Sequence, residues 1–102
     1  MNKLVEKIIS WGDDRGLFTN PCAKTQALKT VSEVGEFADN VAKGRDCRDD
    51  IGDILVTLIL QCHIQNTTLE ECLEIAYNEI KDRKGKLVDG IFIKEGDISE
   101  GC

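Results

Sequence analysis

The chain has 102 residues, 13 of them Lys or Arg and 19 Asp or Glu, for a formal net charge of −6. That length suits one domain around one core, and the acidic balance argues against a general nucleic-acid binder, which needs a basic face. The longest apolar run, Ile54 to Leu60, falls far short of the about 20 residues that span a bilayer. The opening MNKLVEKIISWGDD is too polar for a signal peptide. Cys22, Cys47, Cys62, Cys72 and Cys102 are odd in number and contain no CxxC pair, which disfavours a disulfide framework or a zinc site. A cytoplasmic, reducing compartment is expected, with neither membrane nor nucleic acid as partner.

Leu4, Val5, Ile8, Ile9 and Trp11 recur at roughly helical spacing and predict a first helix over residues 2–12, ended by Asp13-Asp14-Arg15-Gly16. LFTNPC, residues 17–22, predicts a loop around the sole proline. Trp11 and Phe18 lie close to it, as two core anchors on the simpler reading or a wall for a nucleobase on the sharper one. A second helix is predicted over 23–43, stopped by Gly44. Its apolar stripe, Ala27, Val31, Val34, Ala38, Val41 and Ala42, is expected to face the core. Lys29, Glu33, Glu36 and Asn40 form a stripe on the opposite side, which for this helix alone is how a solvated face looks.

The third helix, predicted over 47–65, is apolar nearly all round and therefore expected to be buried on most sides. Asp50, Asp53, Thr57 and Gln61 nevertheless run along one side of it. The positive end of a helix dipole accounts for Asp49 and Asp50. It accounts poorly for Asp53, which lies deeper and has no cation beside it on the same helix. His63, the lone histidine, is given no catalytic role. A fourth helix starts at Thr68, the N-cap of a capping box closed by Glu71. Its core stripe is Leu69, Cys72, Leu73, Ala76 and Ile80, and it carries Asn78, Lys81, Arg83 and Lys84 towards a stop at Gly85. Those basic residues either compensate the dipole or contact phosphates. Leu87-Val88, Asp89-Gly90 and Ile91-Phe92-Ile93 predict a hairpin with a two-residue turn. The domain is expected over 1–96, with residues 97–102 a disordered tail.

Two acidic pairs stand out, Glu33/Glu36 and Asp50/Asp53, each spaced so that both carboxylates lie on one side of a helix. If the two helices face each other, four anionic oxygen ligands converge. That suits a hard divalent cation and a cation-bridged triphosphate. The pattern Lys29-x-x-x-Glu33-x-x-Glu36, a loop, then Asp50-x-x-Asp53 resembles the MazG-like nucleotide pyrophosphatases, with SEVGEFADNVAKG similar to their first metal helix and DDIGDILVTLIL to their second. The opening ISWGDDRGLFTNP and the later NEIKDRKGKLVDGIFIKEGD resemble compact phage and prophage members. Two departures are Asp50, where the family usually has Glu, and Ser32, where it often has another Glu.

The resemblance implies an all-α fold, a four-helix bundle completed by dimerisation, with a short C-terminal β-hairpin or extended tail. It implies hydrolysis of nucleoside or deoxynucleoside triphosphates between the α and β phosphates, giving a monophosphate and pyrophosphate. Glu33, Glu36, Asp50 and Asp53 would be the catalytic and metal-holding residues, for Mg²⁺ with Mn²⁺ as a substitute. Lys29, Lys81 and Lys84 would meet phosphate oxygens, Asn78 sugar or phosphate, and Trp11 and Phe18 the base. A homodimer or homotetramer is expected. The alternatives are a nucleotide-binding member without turnover and a helical interaction module.

Overall fold

The computed structural model describes residues 2–97. They form four helices, α1 (Asn2–Asp14), α2 (Ala23–Ala42), α3 (Arg48–Ile64) and α4 (Leu69–Ile80), then strands β1 (Gly85–Val88) and β2 (Ile91–Lys94) and a 3-10 turn, Glu95–Asp97. The chain divides into two compact units, one ending at Leu69 and one beginning at Glu70.

In the first unit α3 is the central element, and α1 and α2 both pack on it. Ile59, Leu60 and Cys62 of α3 are buried, joined by the polar Asp50 and Thr57. On the α1 side the approach is close because Gly12 is the contact. A Cβ there would meet Leu60 Cδ2 at 2.9 Å and the Phe18 ring at 3.2 Å. Phe18 in turn packs against the His63 ring, centroids 4.4 Å apart. Each joint has a local cause. Gly16 and Gly44 take positive φ, 75° and 69°, just after α1 and α2, a backbone state that costs glycine nothing. The Asp46 carboxylate accepts from the Arg48 backbone N–H at 3.0 Å and satisfies a free donor at the start of α3. The same carboxylate pairs with the Arg48 side chain at 2.6 Å, and that guanidinium stands in solvent.

The α2 seam reverses the expected orientation. Ala23, Gln26, Thr30, Glu33, Phe37 and Asn40 are the residues of α2 withdrawn from solvent. The apolar stripe expected to form core is open instead, with Val31 66% and Val41 53% exposed and Leu28 beside it at 70%. The reason lies on α3, which presents hydrogen-bonding groups to α2. The Gln26 side-chain amide donates to the Thr57 carbonyl at 3.0 Å, the Thr30 hydroxyl to Thr57 Oγ1 at 2.9 Å, and the Gln61 amide to the Ala23 carbonyl at 3.0 Å. Thr57 Oγ1 passes its own proton to the Ile54 carbonyl at 2.7 Å, so the chain of donors closes. Turning α2 by half a turn would bury its valines against these groups and leave them unpaired.

In the second unit α4 ends at Ile80, earlier than expected. Lys81, Arg83 and Lys84 lie past the helix, in the connection, and Gly85 opens β1 rather than stopping a helix. Gly85 pairs with Lys94, and a Cβ on it would collide with the Ile93 carbonyl and the Phe92 ring. Leu73 and Ile80 of the α4 stripe are exposed. The hairpin forms as the sequence indicates. Val88 pairs with Ile91 across Asp89-Gly90, both at positive φ, 52° and 79°, the backbone of a type I′ turn. Asp97 closes the 3-10 turn, and the rest of the expected disordered tail lies outside the described residues.

Candidate functional site

The inward turn of α2 brings its acids to α3. Glu33 is largely buried, 13% exposed at the side chain, and Lys29 reaches it from one helical turn before, 3.1 Å. Asp50 is buried at the start of α3, and both its oxygens accept from the Asn40 amide at 3.1 Å. Arg45 Nη1 donates to the Asn40 oxygen at 3.2 Å, which orients that amide with its hydrogens towards Asp50. Asp53 follows one turn further along the same helix, half-buried.

The four carboxylates act on one another. The Glu33 carboxylate beside Glu36, together with a hydrogen bond the two share, pushes the Glu36 carboxyl above its usual range, and Asp50 across the seam adds to this. Asp53 is pushed up first by loss of water around it, then by the charges of Asp49, Glu33 and Asp50. Lys29 opposes both shifts and does not cancel them. The expected acids therefore share one electrostatic neighbourhood spanning two helices. Among the described residues no three acidic, histidine or cysteine side chains already form a closed ligand set. The donor chemistry still fits a hard divalent cation. All four groups are carboxylates, Lys29 relieves their repulsion only in part, and Mg²⁺ is commonly held by a few carboxylates with water and phosphate oxygens completing its shell.

A cavity of about 370 Å³ adjoins these acids on the α1 side of α3. Leu4, Val5 and Ile8 of α1 and Leu55, Val56 and Ile59 of α3 form its apolar walls, and Asp49, Gly52 and Asp53 border it on α3. Trp11 and Phe18 are not among its walls. Phe18 is held by Gly12 and His63, and Arg15 lies over the Trp11 ring, 4.4 Å from its centroid. Asn78 sits in α4 and Lys81 and Lys84 in the connection after it, all in the second unit. Two participants went unassigned in the sequence. Asn40 was legible as part of the polar stripe, one turn past Glu36, but only the fold reveals Asp50 as its partner. Asp49 was accounted for by the helix dipole alone, and its place in the cavity wall depends on how α1 packs.

The MazG nucleotide pyrophosphohydrolase domain matches residues 23–88, from the start of α2 through β1. The chain belongs to that family. It is also similar to an uncharacterized 18.2 kDa protein encoded in the rep-hol intergenic region of Haemophilus phage HP1, 31% identical over 71 residues. That match covers 65% of this chain and 44% of the phage protein, so the chain spans under half of that relative's length. No solved structure matches the chain. No helix among the described residues is long and apolar enough to cross a membrane.

Proposed function

We propose that this protein hydrolyses nucleoside or deoxynucleoside triphosphates between the α and β phosphates, releasing a monophosphate and pyrophosphate, with Mg²⁺ as the cofactor. The observation that carries the reading is the burial of Glu33 and Asp50 at one helix seam, with Glu36 and Asp53 beside them and too little positive charge to offset four carboxylates. Held by these side chains, Mg²⁺ would neutralise the polyphosphate and make a bound water more acidic. Asn40 keeps Asp50 in a fixed orientation, so its oxygens need no reordering when the cation arrives. Glu36, one helical turn from Glu33 on the same side of α2, could orient the attacking water. Lys29, with its side chain 60% exposed, can turn from Glu33 to a phosphate oxygen.

The outward apolar side of α2 belongs to the same reading. A helix that hides its polar side and exposes Leu28, Val31 and Val41 calls for a covering surface, and a second copy of the chain supplies one. Size-exclusion chromatography at low micromolar concentration is expected to show a dimer or tetramer, and a monomer would remove this part of the proposal. The enzymatic part is tested by incubating the protein with a panel of NTPs and dNTPs, with Mg²⁺ or Mn²⁺, and reading both products. Monophosphate and pyrophosphate in equal amounts support it. Orthophosphate and a diphosphate, or no turnover, contradict it.

A further inference from the structure

Among the described residues the Arg45 guanidinium pairs with none of the carboxylates. It donates instead to the Asn40 side-chain oxygen at 3.2 Å. We infer that Arg45 is a positioning residue for the cation: it acts through Asn40 to fix the Asp50 carboxylate, and so strengthens binding of an ion that its own charge opposes. This rests on reading the acids as the Mg²⁺ site.

The place of Arg45 follows from how α2 ends. Gly44 takes φ 69°, and its N–H donates to the Val41 carbonyl at 3.0 Å. The next N–H, that of Arg45, donates to the Asn40 carbonyl at 3.0 Å. These two bonds make the glycine-based cap in which the chain folds back over the last helical turn. Arg45 is therefore tied to Asn40 twice, once by backbone and once by side chain. With the amide oxygen of Asn40 held by Arg45, its nitrogen is presented to Asp50, 3.1 Å from each carboxylate oxygen. Arg45 is exposed, Asn40 half-buried and Asp50 buried, so the bonds run from solvent into the site. Arg45 acts on a bound cation in two ways of opposite sign. Its charge repels the ion, an effect that water and salt screen at an exposed guanidinium. Its hydrogen bond removes freedom from a ligand that would otherwise have to be ordered when the ion arrives. The second effect outweighs the first.

The test uses Mn²⁺ as the probe, its affinity for the full chain read without nucleotide from the electron paramagnetic resonance of the free ion. Arg45→Met removes both the charge and the donor. It is expected to bind Mn²⁺ about fivefold more weakly than the wild type, and Asn40→Ala about tenfold, since hydrogen bonds behind a metal ligand act on affinity at this scale. Arg45→Lys, which keeps the charge and a donor but loses the planar fork, is expected to fall between Arg45→Met and the wild type. In an Asn40→Ala background Arg45→Met should bring no further loss, because the link is already cut. In turnover, Arg45→Met should need more Mg²⁺ for half-maximal pyrophosphate release and approach the wild-type rate when Mg²⁺ saturates. Binding by Arg45→Met as tight as the wild type or tighter, or an equal loss with Asn40 already removed, overturns the positioning role and leaves the acids as a metal site. If the wild type itself binds no Mn²⁺, the reading of the acids fails, and the role of Arg45 with it.

Discussion

The two seams of α3 are built by opposite means. Towards α1 it meets apolar side chains, and the approach is set by a glycine against Leu60 and Phe18. Towards α2 it meets amides and hydroxyls that bond across the gap and an aspartate held by the Asn40 amide, while Gln61 Oε1 is buried without a partner. The first seam gains by removing apolar area from water and tolerates any side chains that fill the space. The second depends on hydrogen bonds across it, because a buried polar group without a partner keeps the full cost of leaving water. One helix thus joins a packing surface to a charged one, which explains why it is apolar nearly all round and still carries Asp50, Asp53, Thr57 and Gln61.

Breaking the charged side should have the largest effect. Glu36→Gln and Asp53→Asn keep the shape of each side chain and remove its charge. Each is expected to lower pyrophosphate release by about 100-fold or more, equivalent to roughly 3 kcal/mol of transition-state stabilisation, while far-ultraviolet circular dichroism stays unchanged. The packed side should fail next. Gly12→Val forces a side chain into the space held by Leu60 and Phe18. It is expected to cost about 1–3 kcal/mol, read as a lower denaturant midpoint with the same slope.

A subtler break tests the hydrogen-bonded seam without changing its volume. Thr57→Val removes a buried hydroxyl that accepts from Thr30 and donates to Ile54. An expected loss of about 1–2 kcal/mol would confirm that pairing, and not burial alone, secures α2. No loss would mean the seam is held by apolar contact after all. The smallest effect concerns pH. Glu36 and Asp53 bind protons more readily in the folded chain than in the unfolded one, since both carboxyls are raised. Their contribution favours folding below the ordinary carboxylate range and is lost as pH rises through the raised values. In EDTA, lowering the pH from 7 to 5 should therefore raise the melting temperature by more in the wild type than in Asp53→Asn. Added Mg²⁺ should reduce that difference by stabilising the ionised form at pH 7.

Much of the fold was legible because its punctuation is local. Gly44, the Asn20-Pro21 step and Asp89-Gly90 each demand a particular backbone, and each sits where an element ends or turns. The facing of α2 was not legible. A helical wheel places Val31 and Glu33 on different sides but does not say which side is covered, and the usual preference for burying valine is overruled here by Thr57, Gln61 and Asp50 on the neighbour. The end of α4 was also hidden. Lys81, Arg83 and Lys84 are good helix formers, and only the pairing of Gly85 with Lys94 withdraws them into a connection. The acidic pairs were visible from spacing alone, whereas the cavity beside them depends on residues of α1 and α3 far apart in sequence.

Asn40 occupies a place that only an ambivalent side chain can fill. It receives from Arg45 with its oxygen and gives to Asp50 with its nitrogen. Aspartate has the same outline but no hydrogen to give, so it would turn a clamp into a repulsion, and leucine could do neither job. The positive charge of Arg45 thereby steadies a buried carboxylate through an intervening dipole, without lying against it.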